Sequence, residues 1–541
     1  MTVVATTPAD MARRDMRSAH RTNAKPAAAA LALLFCTPLP SPAFGGATYT
    51  PDNPTVLIQE SGRRLAIEVT PDRPLYRPDA LPRVTLRTSA TSRARLAYRV
   101  RDGFGSVLLD GSASSKDTNA LDIALPPGHG YYEIVATLSD DKGVVAERRR
   151  SIGALTPPAR PTGDEPFGLW IQGAALYPEL GVRWTREGIW WPAYEKQGDR
   201  YLKGRIALFG RYREGGIRVI AYPKHPHPHQ TSREVIEDTP EAWRTLENWW
   251  ITMVRALAGH VDAWGVVNEP MRGHWKGNDR LIVRYWALMR RIVDRYDPGT
   301  PLIGPSLNPN RAKQMAQYGD LLSMGFAGYV DAVEMHTYVD IPEKGWGVAT
   351  RRIEKMTAGA SGKPLPVWSS EHGYTASYRQ ELNQARLLLR SSVEAKRIGY
   401  PVLIWHMFGH PQGKNRREVQ FSIFRGARSA GTPPQPRPAG VAYGVMTRQL
   451  SGAAFRRRIE RLPSSVRAYV FARQGKTMVA VWGLDDTRSE ITLSVEEGSP
   501  PTITGMFGRT EIPAVRDGAI QVTVGRNPVF IAPLPASLQD R

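Results

Sequence analysis

Apolar and polar side chains alternate along the first part of the chain in short runs, at 64–69, 95–100 and 131–138, with turn residues between them. A period of two marks a strand with one buried face. Several such runs at this spacing predict an antiparallel, Ig-like β-sandwich over residues 50–155. Residues 156–163 are rich in Pro and Gly and read as the start of a linker that ends at 166. From Phe167 the period changes. Eight apolar, β-rich runs fall at 167–172, 182–190, 217–224, 261–270, 302–307, 330–338, 366–374 and 400–408. Amphipathic stretches lie between several of them, at 241–257, 280–296, 311–324 and 380–398. This alternation predicts an α/β fold, a (β/α)8 TIM barrel over 167–450, closed by a helix near 440–450. Strand spacing returns at 468–473, 477–482, 490–495, 518–524 and 529–534, predicting a carboxy-terminal β-domain over 451–541.

Composition narrows the class. With 41% hydrophobic and 23% charged residues in 541, the chain is neither disordered nor a multi-span membrane protein. Five basic residues between Arg13 and Lys25 precede a short apolar run, 27–36, and then small residues. That order reads as a signal peptide over 1–43. The run is about half of what a membrane-crossing helix needs, so the mature chain is expected to carry no transmembrane anchor. The one cysteine, Cys36, falls in this leader, so neither an intrachain disulfide nor a cysteine metal cluster can form. Export to the periplasm or the exterior is the expectation. The net charge of +21 invites a nucleic-acid reading, but the arginines are dispersed and no zinc or RNA-binding spacing occurs. An anionic polysaccharide suits the charge better. Oligomeric state is not legible.

In a TIM barrel, chemistry gathers where strands end. The fourth run ends Trp264-Gly265-Val266-Val267-Asn268-Glu269-Pro270, and the seventh ends Trp368-Ser369-Ser370-Glu371-His372. Each delivers one glutamate to the mouth. Two opposed carboxyls are what cleavage of a glycosidic bond requires, one protonated and one ionised. The run His225-Pro226-His227-Pro228-His229 could suggest a metal, but alternating prolines stiffen it and no carboxylate sits within it. No metal or cofactor is expected. His225 is a candidate for touching substrate instead. Asp331, Glu334 and Asp340 lie near the sixth run without an assigned role.

These residues resemble a clan A retaining glycoside hydrolase. The likeness covers about 167–450 and is carried by Asn268-Glu269-Pro270 after the fourth strand and a glutamate after the seventh. It implies that Glu269 is the acid/base, Glu371 the nucleophile and Asn268 the partner of a sugar 2-hydroxyl. Gly181-Val182-Arg183-Trp184-Thr185-Arg186, followed by Trp190-Trp191-Pro192, is similar to the second strand of glycoside hydrolase family 39. By that resemblance Arg186 lies beneath the nucleophile and favours its ionised form. His336 and Tyr338 end the sixth strand, where the clan places a tyrosine bonded to the nucleophile. Trp405 ends the eighth, where an aromatic stacks on the sugar, and Trp190 borders the same mouth. The implied activity is retaining cleavage, internal or terminal, of glycosidic bonds in a polysaccharide, such as a bacterial exopolysaccharide or another cell-surface or plant glycan. A transglycosylase using the same pair, and a glycan-binding scaffold without catalysis, are the alternative readings.

Overall fold

The computed structural model describes residues 64–539, apart from 90–93, 115–118, 160–163, 171–173, 225–235, 272–277, 377–379, 410–415, 427–432 and 497. The predicted leader therefore lies outside the described residues, as does His225. Among the described residues no helix is long and apolar enough to cross a membrane.

Seven parallel strands form one curled sheet, ordered in space Ala263–Trp264, Arg218–Lys224, Trp184–Trp190, Phe167–Leu169, Leu403–Trp405, Val367–His372 and Val333–His336. The predicted fifth strand, 302–307, is joined by single bridges, Trp264 to Leu302 on one side and Ile303 to Ala332 on the other. It spans the gap between the first and last strands of the sheet and so completes the circle. Side chains alternate across the wall as the pleat requires. Trp184, Ile220, Tyr222, Ala263, Trp368 and Ile404 fill the interior. Val219, Ala221, Val333, Met335, Leu403 and Trp405 face the helices.

The helices form where the apolar spacing is helical. Pro240–Leu257 buries Trp243, Leu246, Trp250, Met253 and Leu257 along one stripe. Its first turn is fixed by Pro240 and by the Thr239 side chain, which accepts from Ala242 N at 3.2 Å. Asp279–Tyr296, Ala312–Ser323 and Glu381–Ile398 match the predicted stretches within one residue. Trp191–Gln197, Asp199–Glu214 and Pro342–Ser361 are helices that the pattern did not single out. Asp199–Glu214 is mostly polar and buries only Leu202, Phe209 and Tyr212, too thin a stripe to register.

Ahead of the barrel, a three-stranded antiparallel sheet and a five-stranded sheet, antiparallel except where Leu75–Tyr76 joins its edge in parallel, enclose a separate apolar core around Val84, Leu96, Ile134 and Ile152. Leu75, Tyr131 and Leu155 belong to the barrel's core instead. The junction also holds a buried pair, Arg425 with Glu381, and Ser151 Oγ donates to Pro436 O at 2.6 Å. After the barrel come a six-stranded sheet and a two-stranded antiparallel sheet. Glu343 ties them to the barrel. It accepts from Arg390 Nε at 2.6 Å on the barrel side and from Trp482 Nε1 at 2.8 Å on the other.

Candidate active site

The site is built on strand ends. On Val333–His336 the outward Val333 and Met335 leave Glu334 and His336 pointing in. On Trp184–Trp190 the same alternation puts Trp184 and Arg186 inside. Glu371 reaches the mouth by another route. Opposite Met335 stands Ser369, but opposite His336 stands Glu371, so Ser370 is an extra residue in the ladder. Such a bulge reverses the alternation beyond it. Glu371 turns into the barrel, and His372 turns outward to meet Trp346 and Trp405.

Glu269 follows a two-residue strand and has a left-handed backbone, φ 47°. A non-glycine pays about 1–2 kcal/mol for that conformation. The turn is held by Ser306, whose Oγ accepts from Glu269 N at 2.9 Å and donates to Val267 O at 3.2 Å. Four residues earlier Gly265 leaves room for the Tyr222 ring, since a Cβ there would lie 2.0 Å from it. Tyr222 in turn lies under the Arg186 guanidinium at 4.0 Å.

One oxygen of Glu269, one of Glu371 and a ring nitrogen of His336 all lie within 4.8 Å of one another. Glu371 is buried. It accepts from Arg186 Nη1 at 2.8 Å and from the Tyr338 hydroxyl at 2.5 Å. Burial alone would raise its pKa. The nearby His336, His406 and Arg186, with the Tyr338 hydroxyl, overcome that and hold the carboxyl far below the usual carboxylate range. Arg186 also donates from Nη2 to Asn268 Oδ1 at 2.5 Å. His336 Nδ1 is 2.9 Å from Glu269 Oε1 and 3.8 Å from Glu371 Oε1. Burial would discharge this ring. The facing Glu371, Glu269 and Glu334 instead push its pKa up to about 9, so it carries a proton at neutral pH.

Beneath the pair lies Glu334, which sequence reasoning left without a role. It is fully buried, accepts from Tyr222 and Ser370, and stands 3.5 Å from both Arg186 Nη2 and His336 Nε2. Burial raises its pKa, but His336 and Arg186 outweigh that and keep it lowered. Its signal was present in the sequence: it is two residues before His336, on the same face of one strand.

The structure thus brings Asn268, Glu269, Glu371, Arg186, His336 and Tyr338 together. Trp405 stands apart. It is 1% exposed, donates from Nε1 to Phe421 O at 3.1 Å and packs on His372. Ile404 faces the interior, so the next residue must face the helices. The tryptophan that borders the mouth is Trp170, after the first strand, stacked on His406 at 4.6 Å, with Tyr374 and Phe421 also on the rim. His406 is held by Glu418 at 2.7 Å. Trp190 is 47% exposed and does not border the cavity. That cavity, about 520 Å³, is bordered by Trp170, both glutamates, Asn308, Arg311, Tyr338 and Asp340 among others. Glu269, His336 and Glu371 offer one donor each for a metal ion. A protonated His336 and the Arg186 charge make that trio a poor cation site.

Two carboxylates face each other at a barrel mouth, one of them held ionised by a buried arginine and a tyrosine. Such a pair can supply one proton donor and one nucleophile to a bond held between them. No protein-family description and no curated protein matches the chain in sequence. Among solved structures it is similar to a family 39 glycoside hydrolase from Bacteroides cellulosilyticus WH2. The TM-score is 0.67 at 17% identity, over 86% of this chain and 100% of the other. It is also similar to a family 30 subfamily 8 xylanase from Clostridium acetobutylicum, with TM-score 0.49 and 12% identity over 69% of this chain and 97% of that one. The likeness to the first shows a shared (β/α)8-type fold.

Proposed function

We propose that this chain is a retaining glycoside hydrolase, exported after loss of residues 1–43, that cleaves an anionic polysaccharide. The observation that carries the reading is that one oxygen of Glu269 and one of Glu371 come within 4.8 Å of each other, close for an inverting pair. Inverting pairs stand about 6.5–9.5 Å apart to admit a water between carboxyl and sugar, whereas retaining pairs stand about 5–5.5 Å apart. Glu371, ionised beneath Arg186 and Tyr338, attacks the anomeric carbon and forms a glycosyl ester as the glycosidic C–O bond breaks. Glu269 gives its proton to the departing oxygen, then takes one from the water that hydrolyses the ester. His336 keeps a further proton one hydrogen bond away from Glu269. Asn268, oriented by Arg186, faces the substrate.

Two features support an anionic substrate. The chain carries +21, of which five basic and two acidic residues fall in the leader. Arg311 borders the catalytic cavity, and its guanidinium has no partner among the described residues. A carboxylate on the sugar would pair with it.

The test is release of reducing ends from neutral and acidic polysaccharides by the mature protein, beside a Glu371→Gln variant. Ends that appear only with the native protein support the reading, and retention is then read from the anomer first formed. Equal release by both proteins, or an inverted first product, overturns it.

A further inference from the structure

A second cavity, about 460 Å³, lies between the barrel and the carboxy-terminal unit. Asp340 and Lys344, at the start of helix Pro342–Ser361, and Asn383 and Leu387, on helix Glu381–Ile398, form one wall. Leu484 and Arg526, just past the strands Lys476–Gly483 and Ala519–Val524 of the carboxy-terminal unit, belong to the opposite wall. Asp340 also borders the catalytic cavity, so the two spaces meet at this residue.

Three features of this cavity point to a ligand. Asp340 and Lys344, both exposed, and the half-buried Asn383 line one space with Asp485 and Arg526, so that acceptors, cations and an amide face it together. Leu387 and Leu484 add apolar surface beside them, the mixture that meets the hydroxyl edges and C–H faces of sugars. The frame is rigid, because Glu343 fixes Arg390 of the barrel and Trp482 of the other unit at once. Arg386 Nε likewise donates to Asn527 Oδ1 at 2.8 Å across the same seam.

We propose that this second cavity is a distal binding site for the same glycan chain. It would hold sugars that run past Asp340 out of the catalytic cavity, with Lys344 facing a carboxylate on the chain. The inference rests on the glycosidase reading and deepens it. The carboxy-terminal unit then supplies half of a substrate site, and the cleft suits cleavage within a polymer.

The experiment compares two substrates of the native protein: the polysaccharide that yields new ends, and the best 4-nitrophenyl monosaccharide glycoside from a panel. The first variant is Lys344→Ala/Asn383→Ala. The second is Asn383→Trp, which fills the space instead of removing contacts. Thermal melts confirm folding. Each variant should lower the ratio of kcat/KM for polymer to kcat/KM for the glycoside about tenfold, mostly through KM, as loss of two hydrogen bonds implies. In a Glu371→Gln background the same changes should weaken retention of the polymer in affinity electrophoresis. An unchanged ratio and unchanged retention, with both substrates still cleaved by the native protein, overturn the distal site alone. A native protein that cleaves no substrate overturns the glycosidase reading, and the distal site with it.

Discussion

Replacing Glu334 with Gln should move the pH dependence of catalysis without touching either catalytic carboxyl. The amide keeps the shape and can still accept from Tyr222 and Ser370 through its carbonyl oxygen. What disappears is one negative charge, 3.5 Å from Arg186 Nη2 and 3.5 Å from His336 Nε2. At an effective dielectric of about 20, a unit pair at that distance is worth about 5 kcal/mol. That corresponds to a ceiling of roughly 3 pKa units on His336. Relaxation and the remaining Glu269 and Glu371 charges reduce it, so a fall of about 1–3 units is expected. The His336 proton, held up to about 9 in the native protein, would then be lost between about pH 6 and 8. The assay is kcat/KM on the responding glycan from pH 4 to 10. The alkaline limb should shift by about 1–3 units toward acid, with the variant melting as a folded protein. An alkaline limb that stays in place would mean that Glu334 only packs, and would refute the electrostatic account of this cluster.

Four further outcomes follow from the same geometry. Gly265→Ala would put a methyl 2.0 Å from the Tyr222 ring, so it should cost about 1–3 kcal/mol by denaturant titration and lower kcat/KM as the ring under Arg186 shifts. Trp405→Ala should cost about 3–5 kcal/mol of stability, whereas Trp170→Ala should chiefly raise KM; the reverse pattern would place the sugar-stacking ring at Trp405 after all. Stability should peak near pH 6.5, as read from urea midpoints between pH 4 and 10. His336, raised from 6.5 to about 9, contributes about 3 kcal/mol that is fully present below 6.5 and lost as pH rises through 9. His372, pushed down to about 3 by burial, works from the other side, because the unfolded ring takes up a proton below 6.5 that the folded one refuses. Arg311→Met should reduce kcat/KM about tenfold on an acidic polysaccharide and little on a neutral one; equal losses would remove Arg311 as the anion contact.

The chain's periodicity was enough to place the barrel's strands and four of its long helices, but not Asp199–Glu214 or Pro342–Ser361. A strand or helix that must bury one face announces itself in the spacing of its apolar residues, and those spacings are local. The strand ends likewise named Glu269 and Glu371, because a barrel collects chemistry at one rim, and the family resemblance added Asn268, Arg186, His336 and Tyr338. Which way each side chain points was decided by tertiary contacts. Strict alternation from Trp368 would have turned Glu371 toward the helices, and only the extra residue Ser370, forced by pairing with Met335 and His336, brings it inside. Trp405 obeys the alternation and is therefore lost to the site, while Trp170 from a distant strand takes the position at the mouth. The charge on His336 exists only because three carboxylates from three strand ends surround it. Where each strand ends was legible in the sequence, since that depends on near neighbours in the chain. The orientation and ionisation of the groups at those ends depend on register and burial between segments far apart, and these come into being only when the barrel closes.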